Sequence, residues 1–409
     1  MKCVDTQRQN QSMGDDSLIY VGIDVASRKH DCCILNRDGS ALFENFTFTN
    51  DRNGFETLIS NIVSLKSASG SLNVKIGLES TGHFSTNLTN FLIGQGFEVT
   101  TFNPLHVNLY RKAQTLRKTK TDKSDARFLA AMLFSDDTKP YSPASYHISE
   151  LKALTRHRFR MLSIRSKLKT SYNRQLTILF PELHTAVWSI HQNSCLALLS
   201  QFPSAQAIAQ CHLTRLTSLL AEASQGRYGR EKAIQIRELA KVSIGSCSPA
   251  LSFELVQTIQ TVRFLQTQIS AIDARIREVM VALDSPILTV PGISYTLGAI
   301  ILAEVGDITR FATPAKLLAF AGLDPSTYQS GKFSANSTPM VKRGSSYLRW
   351  ALINAARLIA MRDPTFKSYM AKKKSEGKHQ FVALSHVGKK LVRVIFSLLK
   401  NNSIFIPQA

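Results

Sequence analysis

Cysteine patterning that would announce a zinc module or a redox motif is missing from this chain. Its six cysteines (Cys3, Cys32, Cys33, Cys195, Cys211 and Cys247) form no Cys-x-x-Cys pair and show no finger-like spacing with histidine. They read as small apolar residues in a reducing compartment. An uninterrupted apolar run of about 18 residues is also missing, so no membrane-spanning helix is expected. The opening segment, MKCVDTQRQNQSMGDDS, lacks the apolar core of a signal peptide. A soluble, cytoplasmic protein with no membrane partner is the expectation. No repeat or low-complexity tract stands out, which sets aside solenoids and collagen-like chains.

Acidic residues are scarce as well. Against 50 Lys and Arg stand only 29 Asp and Glu, a formal charge of +21 over 409 residues. Such an excess points to a polyanionic partner, because basic side chains release the counterions condensed on nucleic acid. The excess is localised. Residues 101–180 carry 16 basic residues against five acidic, and residues 332–400 carry 15 against two. Two basic surfaces follow, on a chain otherwise slightly acidic.

At this length two or three domains are expected. A polar extension occupies 1–17. From 18 to 145 the periodicities spell three strands (LIYVGIDVA, HDCCILN, ALFENFTFTN), a helix through GFETLISNIVSL capped by Asn50 or Asp51, then a strand, SLNVKIGLES. Helix TNLTNFLIGQ, strand FEVTTFN and helices PLHVNLYRKAQTL and KSDARFLAAMLF complete it. This β-β-β-α-β-α-β-α order is that of an RNase H-like fold, an α/β domain with a mixed sheet. The loop SDDTKPYSPAS closes it. Residues 146–284 form a helical region in which two long segments, near 148–180 and 251–283, pair as an antiparallel coiled coil. Residues 285–409 form a mainly helical domain. It begins with a helix-hairpin-helix-like PILTVPGISYTLGAIILAEVGD and contains a polar loop, DPSTYQSGKFSANSTPMVKRGSS.

Four acids stand out in the first domain. Asp24 ends an apolar strand and Glu79 ends another, and these two strands are neighbours in a sheet of this order. Asp122 and Asp125, three apart at a helix start, share a face directed to the same sheet end. Carboxylates so gathered repel unless cations lie among them, and an all-oxygen set suits magnesium. A two-metal phosphodiester site is the reading, with Mg2+ or Mn2+ as the ions. Singly, each acid also suits a turn or a helix first turn. Arg111, Lys112, Arg117, Lys118, Lys120 and Lys123 are candidate contacts to a nucleic-acid backbone, or else a solvated helix face.

Together GIDVASRKHD, GLESTGHFS and KTDKSDARFLA, with VPGISYTLGAIILAEVGDITRFATPAKLLAFAGLDP and QSGK…VKRGSSYLRWALINAAR, resemble the DEDD insertion-sequence transposases of the IS-one-ten type. That family includes pilin-gene invertases. The resemblance spans both ends of the chain. It implies a RuvC-like domain whose metal acids fall on Asp24, Glu79, Asp122 and Asp125. It also implies a nucleophilic serine in a Ser-Gly loop, here Ser330, that captures a DNA end as a phosphoserine, and a structured noncoding RNA as guide. Lys332, Lys342, Arg343, Arg349 and Arg357 would hold phosphates around Ser330. Where the family loop has a second glycine after Ser-Gly, this chain has Lys332, and Ser326, Ser334, Ser337, Ser345 and Ser346 lie close by. Recombination must hold four DNA ends, so a homodimer or tetramer is expected. Three rivals stay open: an invertase of the same family, a hydrolytic metal nuclease of Holliday-junction type, and a non-enzymatic nucleic-acid-binding protein.

Overall fold

The computed structural model describes residues 18–407, apart from 70–72, 81–82, 115–121, 136–145, 327–328, 331–332 and 335–338. The extension expected over 1–17 lies outside the described residues, as do Arg117, Lys118, Lys120 and Lys332. The chain folds as two compact units, Met1–Pro143 and Ala144–Ala409.

In the first unit, β1 (Leu18–Asp24), β2 (Lys29–Leu35) and β3 (Ala41–Thr49) form an antiparallel meander. α1 (Arg52–Ser69) leads to β4 (Asn73–Glu79), α2 (Phe84–Gly94) to β5 (Glu98–Phe102), and α3 (Pro104–Gln114) and α4 (Asp122–Met132) follow. The sheet order is β3-β2-β1-β4-β5, with β4 parallel to both β1 and β5. The unit is therefore mixed α/β. Alternation along β1 divides its side chains between two layers. Ile19, Val21 and Ile23 pack with Phe55, Leu58 and Ile62 of α1 and Leu88 and Leu92 of α2. Tyr20 faces the other way, with Ala126, Leu129, Ala130 and Leu133. Each fully buried aliphatic side chain of this kind contributes roughly 1.5–3 kcal/mol. The first helix starts where the Asp51 carboxylate accepts the Gly54 amide at 2.8 Å.

Most of the second unit is helical. α5 (Tyr146–Leu179) is followed by α6 (Leu183–Ala186), α7 (Asn193–Gln201), α8 (Ala205–Gln210), α9 (Leu213–Ala223), α10 (Arg230–Lys241) and α11 (Pro249–Leu283). Leu255, Thr258, Val262, Leu265, Ile269, Ile272, Ile276 and Val279 are buried along α11, at steps alternating between three and four. That is a coiled-coil seam. Its partner is α5, and the pairing is antiparallel: Glu150 meets Arg275 at 2.7 Å, Arg158 meets Asp273 at 2.6 Å and Arg174 meets Glu254 at 3.3 Å. One end of the pair is embedded in a core that includes Tyr172, Phe180, Leu199, Leu216 and Ile236.

The other end joins a second core, centred on α12 (Tyr295–Val305) with α13 (Pro314–Ala321), α14 (Ser346–Arg362), α15 (Pro364–Ser375) and α16 (Gln380–Asn401). Two expectations are corrected here. The helix read before the Pro-Gly-Ile turn is only a four-residue 3-10 turn, Pro286–Thr289. Pro291 disfavours a helical conformation at Val290, which is extended, so the segment cannot continue as a helix. The polar loop contains two short antiparallel strands, β6 (Gln329–Ser330) and β7 (Phe333–Ser334). Among the described residues no helix is long and apolar enough to cross a membrane. Cys32, Cys33, Cys195, Cys211 and Cys247 are all free thiols.

Candidate active site

Asp24 and Glu79 are carried to one edge of the sheet by strand register. β1 and β4 run parallel with Ile23 beside Leu78, so the next residues, Asp24 and Glu79, end the two strands side by side. In open α/β sheets the crevice beyond the carboxyl ends of parallel strands is where ligands bind. The strand period of two fixes the face. Ile23 and Leu78 belong to the α1–α2 layer, so Asp24 and Glu79 belong to the α4 side, as do Gly22 and Gly77.

The glycines let α4 lie directly on the strands. A Cβ at Gly22 would stand 2.1 Å from the Ala126 carbonyl oxygen and 2.3 Å from the Ala130 nitrogen. At Gly77 it would stand 2.8 Å from the Phe102 ring and 3.2 Å from the Leu129 carbonyl. Farther along, the Phe134 ring meets Tyr20 edge-on, with centroids 4.6 Å apart. Ala126 over Gly22 and Phe134 against Tyr20 mean that α4 runs antiparallel to β1. Its first turn, which bears Asp122 and Asp125, therefore lies at the end of the sheet where Asp24 emerges.

Asp125 is buried, and its carboxylate is met by the Arg111 guanidinium of α3, with Nη1 at 3.2 and 3.4 Å from the two oxygens. Arg111 also donates to the Asn108 side-chain oxygen at 3.0 Å. The side chains of Asp122 and Lys123 are outside the described residues, and among the described residues no three metal-ligating side chains converge. The residues fit a divalent ion in their chemistry: the donors are carboxylates, and the buried Asp125 already engages a cation in Arg111.

A further acid escaped the sequence reading. Asp31 of β2 is the cross-strand neighbour of Asp24. It is buried and accepts a hydrogen bond from Thr47 Oγ1 at 2.7 Å. Cys33 and Leu35, two and four residues on, pack with α4, which puts Asp31 on the same face as Asp24. Nothing in HDCCIL singled it out; only pairing does. A legible signal did exist for the glycines, since GID and GLE repeat one pattern of glycine, aliphatic residue and acid.

In the second unit Ser330 occupies the last paired position of β6, opposite Phe333. The Ser330 side chain is outside the described residues. The same hairpin is paired again at its base. The Ser326 amide donates to the Pro339 carbonyl at 2.8 Å and the Val341 amide to the Asp324 carbonyl at 3.0 Å. A cavity of about 720 Å³ opens beside this base, lined by Asp324, Ser326, Met340 and Arg343 among others. Lys112, Lys342 and Arg343 are exposed. Arg349 is half-buried instead, and its Nη1 donates to the Ala321 and Lys342 carbonyls at 3.3 and 3.1 Å.

Two family models match the chain: a DEDD transposase model over residues 21–181 and the transposase IS116/IS110/IS902 family model over residues 284–371. The first match contains the sheet edge and α4, the second the serine-bearing hairpin. Full-length relatives agree. The insertion element IS116 44.8 kDa protein of Streptomyces clavuligerus is 26% identical over 404 residues, 95% of this chain and 96% of its own length. The pilin gene-inverting protein of Moraxella lacunata is 23% identical over 390 residues, covering 95% and 98%. The insertion element IS900 42 kDa protein of Mycobacterium paratuberculosis is 24% identical over 395 residues, covering 95% and 97%. The chain belongs to the IS110-type transposases, and it is an enzyme of DNA strand cleavage and transfer.

Proposed function

We propose that the protein is the transposase of its own insertion element, with an RNase H-like carboxylate site in its first unit and a serine nucleophile on the hairpin of its second. The observation that carries this reading is the seating of α4 on Gly22 and Gly77, which takes the Asp122–Asp125 turn to the edge bearing Asp24 and Glu79. Asp24, Glu79, Asp122 and Asp125 would hold divalent ions, Mg2+ or Mn2+ and two in number. When bound, such ions stabilise charge on phosphate oxygens and favour the alkoxide form of an attacking hydroxyl.

Ser330 is the nucleophile of the proposal. Its oxygen forms a bond to phosphorus, the bond from phosphorus to the departing deoxyribose oxygen breaks, and the serine proton leaves as that oxygen gains one. One phosphoester is exchanged for another, so the reverse attack by a DNA hydroxyl rejoins strands without an external energy source. A serine hydroxyl is weakly nucleophilic at neutral pH and requires such activation. Lys112, Lys342 and Arg343 are exposed cations suited to phosphate contact, with Arg117, Lys118, Lys120, Lys123 and Lys332 proposed alongside them. A structured noncoding RNA as guide, and a dimer or tetramer as the working assembly, complete the proposal. The similarity to pilin gene-inverting proteins over 95% of the chain favours a second reading, inversion of a resident segment.

The test is strand cleavage by Ser330→Ala and Asp125→Asn. Loss of the covalent protein–DNA adduct in both supports the reading, whereas full cutting by Ser330→Ala means a hydrolytic nuclease. Recombination products, either inverted or transposed, separate the two family readings.

A further inference from the structure

Glu304 is a charged residue in the most buried helix of the second unit. All of Leu297–Val305 in α12 is buried, and Glu304 is 4% exposed. A carboxylate in that position costs several kcal/mol unless its oxygens are paired. Here they are. Arg156 of α5 grips both, Nε to Oε1 at 2.8 Å and Nη2 to Oε2 at 3.1 Å. Arg156 is itself stacked over the Tyr347 ring at 5.2 Å. The remaining partner is Ser345, whose hydroxyl donates to Oε2 at 2.7 Å.

Ser345 is where the returning limb of the serine-bearing hairpin ends and α14 begins. Its side-chain oxygen also accepts the Leu348 amide at 3.1 Å, capping the helix. Its own amide donates to the Phe320 carbonyl, and three residues earlier Lys342 donates to Gly322. Gly344 lies so close to α13 that a Cβ there would be 1.9 Å from the Phe320 oxygen. The limb is thus pressed onto α13 by backbone contacts, packs Met340 against the core, and is tied to α14 by Arg349 at the Lys342 carbonyl and to the buried ion pair by the Ser345 hydroxyl.

We propose that Glu304, held by Arg156, is the positioning residue for the Ser330 hairpin, acting through Ser345. The proposal rests on Ser330 being the nucleophile. A buried pair between α5 and α12 alone would need no bond to the limb. The hydroxyl of Ser345 links that pair to the backbone leading to β7 and β6. Misplacement of a reacting group by about 1 Å can cost on the order of a hundredfold in rate, so a fixed base matters to catalysis.

The experiment uses the full chain with Ser345→Asp and Ser345→Thr. Aspartate caps a helix as well as serine does, yet it cannot donate to Glu304 and repels it. Threonine keeps both bonds. Ser345→Asp is expected to slow single-turnover cleavage at saturating DNA at least about tenfold while DNA affinity stays within about threefold, with Ser345→Thr near wild type. Amide exchange in residues 322–326 and 339–345 is expected to rise in Ser345→Asp and in Glu304→Gln. Unchanged exchange in both, or cleavage by Ser345→Asp at the wild-type rate, overturns the proposal. So does a parallel loss of affinity, cleavage and melting temperature, the mark of a merely structural bond. Ser330→Ala is run beside them: if it still cleaves, the nucleophile assignment fails, while the exchange data still report whether Glu304 holds the limb.

Discussion

Arg111 of α3 and Asp125 of α4 form an ion pair 3.2 Å long, with the carboxylate side chain 6% exposed and the guanidinium 22%. The pair sits in the turn that the family reading assigns to divalent metal. An arginine there supplies the positive charge that a buried carboxylate requires.

Replacing Arg111 with Met should therefore expose a dependence on metal. Leaving a buried acceptor short of its donor costs about 1–3 kcal/mol, and more when it is charged. The variant should melt lower than wild type in chelator, and Mg2+ should raise its melting temperature by more than it raises that of wild type. Equal Mg2+ responses would remove the link between Arg111 and the metal site.

Gly22→Ala is expected to be far more damaging than an alanine usually is in a strand. Its Cβ would lie 2.1 Å from the Ala126 carbonyl oxygen, a backbone atom of α4 that cannot yield without moving the helix. Overpacking of this type costs roughly 1–3 kcal/mol. Denaturant midpoint and cleavage should fall together, because α4 carries two of the acids. Wild-type behaviour in both assays would show that α4 can shift freely.

Acid should act on Glu304 in a defined direction. Burial pushes its pKa up, but the bonds from Arg156 and Ser345, with the charges of Arg156 and Lys152, bring it below 4.5. A depressed carboxylate stabilises the fold above its unfolded pKa and loses that contribution as pH falls through the folded value. The stability gap between wild type and Glu304→Gln should be constant from neutral pH down to about 5 and shrink only below the unfolded value of 4.5. Denaturation curves across that range test it; a gap that closes near pH 6 would contradict the sign or the residue.

Binding to DNA should weaken with salt, and Lys342 and Arg343 should each account for part of the slope. Each phosphate contact contributes about 0.9 to the slope of log affinity against log salt on duplex DNA. Converting both residues to Gln should flatten the slope by roughly two if both touch phosphate. An unaltered slope in a titration from low to moderate salt would place them away from the backbone.

Much of this architecture was legible before any coordinates. The apolar run LIYVGID and the three-and-four spacing from Leu255 to Val279 reflect the burial of both faces of one strand and of one helix seam, and both survive in the fold. The order of nine elements from Leu18 to Met132 follows the same logic. The hairpin did not announce itself, because its base is held by backbone bonds to Phe320 and Gly322 and not by an apolar pattern of its own. Asp31 was hidden for a related reason: its relation to Asp24 exists only in the pairing register. Ser330 drew notice through resemblance alone, since a serine amid serines carries no local signal.

The antiparallel partnership of α5 and α11 has a mechanical implication. Helices of 34 and 35 residues are each about 50 Å long. Slippage by a single position would rotate the seam out of contact and part Arg158 from Asp273 and Arg275 from Glu150. The two cores at either end are consequently kept at a constant spacing, a ruler whose length is written in the number of residues and not in the packing at its tips.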